Sequence, residues 1–221
     1  MRINRDSEII ERPKFNICVF CGSSSGNNSA YTNIASSLGK TMAEKKIGLI
    51  YGGASIGLMG TIADKCLSSG GSVTGVLPSI LEPYEITHSG LSSLIITNTM
   101  HERKAMMYKL SDAFVALPGG FGTLDELFEI VTWAQLDIHQ KPIALLNVAD
   151  FFQSLLTYID LAVEEGFISE KVRALLSVYN DIELMLENIC DQSSLAATDN
   201  TLVSASNKMI DEYSLLTEEL K

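Results

Sequence analysis

The sequence predicts a single α/β domain, a doubly wound, Rossmann-like parallel sheet with helices on both faces, and three observations lead there. Six short apolar runs, 16–20, 48–51, 72–77, 94–96, 113–117 and 143–146, alternate with stretches of helical periodicity. Glycine-rich turns follow the first, second and fifth runs: Cys21-Gly-Ser-Ser-Ser-Gly26, Gly52-Gly-Ala-Ser-Ile-Gly-Leu-Met-Gly60 and Pro118-Gly-Gly-Phe-Gly-Thr123. A chain of 221 residues, 46% hydrophobic and 19% charged, can bury one sizeable core. Repeated strand-helix alternation implies parallel strands with right-handed crossovers, and such sheets hold ligands beyond the strand C-termini, where the three turns converge.

The elements follow in order. After the first strand and its turn, Ala30, Ile34, Leu38 and Met42 recur every fourth residue and give the first helix one apolar stripe. The strand at 48–51 leads into the second glycine turn, and 72–77 and 94–96 supply two further strands. Met100-His-Glu-Arg-Lys-Ala-Met-Met107 starts the next helix, with Arg103 and Lys104 near the crevice. Adjacent cations there oppose the helix dipole unless an anion compensates; a solvated basic turn explains them equally well. After the strand at 113–117 the helix from Leu124 onward is apolar on two sides, Leu127, Phe128, Val131 and Ala134 on one and Ile130 and Trp133 on the other. Such a helix is buried twice over, which predicts a homodimer. The last predicted strand is 143–146. No linker interrupts the chain before Asp191, where Asp, Ser, Thr and Asn crowd a stretch that reads as loop, although Met209, Ile210, Tyr213 and Leu216 could form a small docking helix. The expected organisation is a polar N-terminal segment 1–14, a Rossmann-like domain 15–190 and a polar tail 191–221.

Composition excludes several functions. No apolar stretch nears the ~20 residues needed to span a bilayer, and residues 1–14 alternate charges instead of building a signal-peptide core, so the expected location is cytoplasmic. A formal net charge of -11 argues against a nucleic-acid polymer as partner but leaves a single nucleotide open. Cys18, Cys21, Cys66 and Cys190 include one Cys-x-x-Cys and no second pair at zinc spacing; packed thiols are the plainer reading, a redox pair the alternative. His88, His101 and His139 show no i, i+4 ligand spacing, and no metal is expected. A dinucleotide site wants Gly-x-Gly-x-x-Gly, but the first turn has only Gly22 and Gly26, and the third would need glycine at Asp125. A Walker-type Gly-Lys-Ser/Thr is absent as well.

The third turn reads as a phosphate cradle. Pro118 ends the strand by removing a ladder donor, and Gly119, Gly120 and Gly122 allow positive φ and close approach of backbone to ligand. Thr123 is expected to cap the helix. A helix start carries unpaired N-H groups and partial positive charge, so it holds a phosphate with few cationic side chains. Asp125 and Glu126 fall in what reads as the first turn; one acid there is ordinary, two beside a phosphate site are not. A purely structural glycine turn is the alternative.

Arg103-Lys104 followed by Pro118-Gly-Gly-Phe-Gly-Thr-Leu-Asp-Glu126 resembles the LOG (Lonely guy) family of cytokinin riboside 5'-monophosphate phosphoribohydrolases, long labelled possible lysine decarboxylases. The resemblance runs from about residue 17 to 147 and includes Cys-Gly-Ser-Ser, Tyr-Gly-Gly, Gly-Leu-Met-Gly, Thr132-Trp-Ala-Gln-Leu and His139. It implies that Arg103 and Glu126 are the catalytic pair and that Gly119, Gly120, Phe121, Gly122 and Thr123 belong to the phosphate loop. It further implies that Glu85, Lys104 and Thr132 contact substrate, and that Gly22, Ser23, Gly53 and Gly57 complete the nucleotide site.

The implied reaction hydrolyses the N-glycosidic bond of an adenine-type nucleoside 5'-monophosphate without a cofactor, through an oxocarbenium-like transition state that a carboxylate must face. Glu126 is expected to be held ionised by the helix N-terminus, with Arg103 positioning it. A pyridoxal-phosphate decarboxylase would need a Schiff-base lysine and an aldehyde cage, and neither is visible. The alternatives are a non-catalytic carrier of a nucleotide or phosphorylated cofactor, which would need the cradle but not the Arg103 and Glu126 pair, and a structural scaffold with an empty crevice.

Overall fold

The computed structural model describes residues 13–81 and 87–198. Seven strands form one parallel sheet in the order β4-β3-β2-β1-β5-β6-β7. In chain order the elements are β1 (Asn16–Phe20), α1 (Ser29–Glu44), β2 (Gly48–Tyr51), α2 (Gly57–Ser68), β3 (Val73–Pro78), β4 (Ser93–Thr97), α3 (Met100–Leu110), β5 (Ala113–Ala116), α4 (Phe121–Gln135), β6 (Ile143–Leu146), α5 (Gln153–Glu164), α6 (Glu170–Arg173), β7 (Leu176–Tyr179) and α7 (Ile182–Thr198). The strand order reverses between β1 and β5, and crevices open at such switch points.

Central strands are buried on both sides, so alternate residues feed two cores. Ile17, Val19, Leu49, Tyr51 and Val115 point to one face, where α1, α2 and α7 cover them with Leu38, Met42, Ile62, Met185 and Leu186. Cys18, Phe20, Ile50, Phe114 and Ala116 point to the other, packed by Met107 and Tyr108 of α3 and by Leu127 and Ile130 of α4. The stripe expected on α1 is present, with Leu38 and Met42 fully buried. All four cysteines are free, and burial pushes the Cys18 and Cys21 thiols up, which fits packed thiols rather than a redox pair. No described helix is long and apolar enough to cross a membrane.

Several local expectations need correction. β7 pairs with β6 from Ile143↔Leu176 to Leu146↔Tyr179, yet its hydrophobic signal is weak because it is a four-residue edge strand with only Leu176 buried. α7 runs past Asp191 to Thr198, so the polar stretch 191–198 is helical; the buried stripe Ile182, Met185, Leu186 and Ile189 nucleates a helix that its polar end extends. On α4, Ile130 joins Leu127 and Ala134 on the sheet-facing side, while Phe128 turns outward. α4 also begins earlier than expected: Gly120 is its N-cap, so Thr123 is the third helical residue and not the cap, and Asp125 and Glu126 lie beyond the first turn. Residues 209–216 and 1–12 lie outside the described residues.

Candidate active site

Gly22 draws the three glycine turns together. Its N-H donates to the Pro118 carbonyl at 3.0 Å, and its carbonyl accepts from Leu58 N at 3.0 Å and Met59 N at 3.3 Å. Close approach requires glycine at two further places. Gly57 has φ +62°, and a methyl there would overlap the Ser23 carbonyl of the first turn. A methyl on Gly119 would overlap Thr123 Oγ1 and approach Gly22 N to 3.0 Å. Positive φ, expected at Gly119, Gly120 and Gly122, occurs at none of them and is found instead at Gly26, Gly53 and Gly57. In the third turn Gly119 is therefore needed for room rather than for handedness.

The crevice between these turns is a cavity of about 280 Å³ bordered by Gly22, Ser23, Gly119, Gly120, Tyr31 and Phe151. Two helices start on it, α2 after Ile56 and α4 after Gly120, and neither has a side-chain cap. By contrast α1, α3 and α6 are capped by Asn28, Thr99 and Ser169. In α4 the first ladder bond runs from Leu124 N to Gly120 O, so the N-H groups of Phe121, Gly122 and Thr123 precede it. Space around Gly120 and Gly122 is open. Such a start suits an oxyanion.

Beside it stands an ion-pair network between α3 and α4. Arg103 Nη1 lies 3.1 Å from Glu126 Oε1, and both side chains are about nine-tenths buried. Arg103 Nε donates to the Val76 carbonyl at 3.2 Å. The guanidinium lies where a side chain on Gly52 would be, 2.6 Å from such a methyl. Gly52 was not among the expected site residues, although the Tyr-Gly-Gly motif contains it. Lys104 Nζ reaches Glu129 Oε1 at 3.0 Å and Asp125 Oδ2 at 3.3 Å. Glu129 also escaped the sequence reading; its signal was its place one helical turn beyond Asp125, on the side that meets Lys104.

The electrostatics overturn one expectation. Burial pushes the Glu126 carboxyl up, the Arg103 guanidinium opposes it, and the helix start does not hold the group low. Glu126 lies beyond the first turn, where the dipole has faded, so desolvation wins. For Lys104 burial pulls the ammonium down, but Glu129 and then Asp125 outweigh it and leave it raised.

The other residues distribute as follows. Thr123 is buried beneath the turn, and Phe121 at the helix start is 93% exposed. Gly53 accepts from His88 N at 3.1 Å. Thr132 is exposed on α4, its hydroxyl donating to Phe128 O, nearly two turns from Glu126 and on a different side of the helix. Glu85 lies outside the described residues. His88 Nε2 pairs with Asp64 Oδ1 at 2.9 Å, and His101 is exposed on α3. His139 is structural: its Nδ1 accepts from Lys141 N and its Nε2 meets Ile130 O, which fixes the neutral tautomer, and burial drives it down to about 4.

The sequence model of a family described as possible lysine decarboxylases matches residues 59–189. The cytokinin riboside 5'-monophosphate phosphoribohydrolase LOG2 of Arabidopsis thaliana is 51% identical over 160 residues, covering 72% of this chain and 75% of that protein. LOG4 of the same plant is 49% identical over 177 residues, 80% of this chain and 81% of its own length. Among solved structures, the molybdenum cofactor binding protein of Rippkaea orientalis superposes with a TM-score of 0.62 at 23% identity, over 80% of this chain and 96% of that one. The Moco carrier protein of Chlamydomonas reinhardtii gives 0.61 at 22% identity, over 82% and 98%. At such identity these two show a shared fold alone.

Proposed function

The chain belongs to the LOG family of cytokinin riboside 5'-monophosphate phosphoribohydrolases, and from that premise we propose that it hydrolyses adenine-type nucleoside 5'-monophosphates, cytokinin ribotides among them. Water adds across the N-glycosidic bond, and the products are the free base and ribose 5-phosphate. The observation that carries this reading is the buried Arg103 and Glu126 pair beside the uncapped start of α4.

The N-H groups of Phe121, Gly122 and Thr123 at the start of α4, ahead of its first ladder bond, hold the 5'-phosphate, which does not react. Its binding energy fixes the ribose in a reactive geometry. As the C1'-N bond stretches, positive charge grows on the ribose, and Glu126 faces it. Raised by burial, Glu126 is a stronger base than an ordinary glutamate, which suits it to take a proton from the attacking water as well as to stabilise the cation. Arg103 stays charged and is a poor proton donor, so it orients Glu126 through Oε1.

This reading includes a homodimer through the outer face of α4, where Phe121, Phe128 and Leu136 are exposed around Thr132. In that arrangement Thr132 serves the partner's crevice. Sedimentation as a single 24.1 kDa species would remove this part of the proposal. A cytoplasmic location accords with four cysteines held as free thiols.

The test is incubation with AMP and with isopentenyladenosine monophosphate, following base and ribose 5-phosphate by chromatography, with Glu126→Gln and the corresponding nucleosides alongside. Release from nucleotides only, lost in Glu126→Gln, is expected. Tight nucleotide binding with no turnover would mean a carrier instead, and equal rates on nucleoside and nucleotide would remove the anchoring role of the phosphate.

A further inference from the structure

We propose that Glu129 is a positioning residue of this active centre: it takes the Lys104 ammonium and thereby leaves Glu126 to Arg103, an assignment that rests on the phosphoribohydrolase reading. Lys104 bridges two carboxylates of α4, Glu129 at 3.0 Å and Asp125 at 3.3 Å. The two contacts are unequal. Asp125 is 61% exposed, so water and salt screen it, whereas Lys104 and Glu129 are only 13% and 22% exposed. Glu129 is thus the partner that holds the ammonium in place.

Lys104, Glu126 and Glu129 share one small cavity, walled by Phe20, Met107, Tyr108 and Ile130. Asp125, the other contact of Lys104, does not line this cavity and is solvent-screened, so Glu126 is the one other carboxylate inside it toward which an ammonium released from Glu129 can turn. Charge count explains why that exchange would harm the reaction. Arg103 and Lys104 stand against Asp125, Glu126 and Glu129, which leaves the network one negative charge in excess. A developing ribose cation is stabilised by that excess. Removing the Glu129 charge balances the network and lets Lys104 turn on Glu126, so the carboxylate would face the ribose already neutralised.

The titratable groups around Glu126 enter the test: Arg103, Lys104 and Tyr108 from α3, Asp125 and Glu129 from α4, and the thiols of Cys18 in β1 and Cys21 just after it, the thiols and the phenol being kept protonated by burial. Glu129→Gln keeps shape and removes charge; Glu129→Asp keeps charge and shortens reach. With AMP as substrate, Glu129→Gln is expected to lower kcat by about tenfold or more with KM changed less than about twofold, since the loss falls on the transition state. Its acid limb of kcat/KM should move to lower pH, because both the lost carboxylate and the freed ammonium favour ionised Glu126. Glu129→Asp should recover a large part of kcat.

A residue that only packs would not move the acid limb. Wild-type kcat in Glu129→Gln, or an acid limb that stays in place, would overturn the assignment. Should the wild-type protein turn over no nucleotide, the phosphoribohydrolase reading fails by itself. The positioning of Lys104 is then decided by carbon-13 NMR titration of the Glu126 carboxyl: a lower midpoint in Glu129→Gln upholds it, and an unchanged midpoint overturns it.

Discussion

Consider the Arg103 and Glu126 pair taken apart one side at a time. At 3.1 Å and an effective dielectric constant of about 20, the attraction is about 5 kcal/mol before desolvation is counted. Removing one partner of a buried pair costs about 3–5 kcal/mol, because the other is left uncompensated. The two single variants should not cost the same. In Arg103→Met the stranded group is Glu126, already raised by burial, which can take a proton and relieve itself, so about 3 kcal/mol is expected. In Glu126→Gln the stranded group is a guanidinium that cannot lose its proton, and about 5 kcal/mol is expected. The double variant buries neither charge and should lie within about 2 kcal/mol of the wild type. Urea unfolding followed by fluorescence of Trp133, the chain's single tryptophan, which packs edge-on to Tyr108 of α3 at 5.4 Å, measures all four proteins. The three variants should all be inactive however stable they are, which separates charge balance from catalysis. Additive losses in the double variant would refute the pairing, and equal losses in the singles would refute the assignment of the mobile proton to Glu126.

Two neighbouring glycines should behave differently. Gly119→Ala drives a methyl into Thr123 and toward Gly22 N, so it should lower stability by about 1–3 kcal/mol in thermal unfolding and raise KM. Gly120→Ala meets nothing within 4 Å and should leave Tm nearly unchanged while raising KM by obstructing the oxyanion site; an unaltered KM would move the phosphate elsewhere. His139 sets an acid limit on stability. Its ordinary value is 6.5 and burial lowers it to about 4, so between those pH values the unfolded chain binds a proton that the folded chain refuses. Stability should therefore fall as pH drops through that window, by about 3 kcal/mol at 1.36 kcal/mol per pH unit. His139→Asn should flatten the slope, and the same slope in the variant would refute the assignment.

The fold was legible where burial is two-sided. Runs such as 16–20 and 113–117 are continuous because both faces of the sheet are covered, and each is followed by a glycine turn. β7 was illegible because an edge strand shows no such run, and the end of α7 because the polar run Asp191 to Ser194 reads as loop, although a helix already formed on a buried stripe carries through it. Within the candidate site, Arg103 and Glu126 were singled out through a family pattern, and the structure pairs them at 3.1 Å. The sign of the Glu126 perturbation was missed. It depends on where α4 begins, and Gly120 as N-cap shifts that start far enough to exchange dipole for desolvation as the dominant cause. Glu129, one helical turn beyond Asp125, and Gly52, inside Tyr-Gly-Gly, were passed over for a related reason: each matters through a contact with α3, and local spacing does not say which neighbour in space a position meets.

The Gly22 bonds reach further than the crevice they close. The floor is drawn by peptide groups, the Gly22 amide on Pro118 and its carbonyl under Leu58 and Met59, and no side chain takes part in those three bonds. Ser23, Ser24 and Ser25 stand exposed above that floor. Point substitutions among them can therefore change what the crevice holds while the floor is inherited intact. In such a molecule specificity can drift faster than architecture, and relatives that share the scaffold need share little of their cargo.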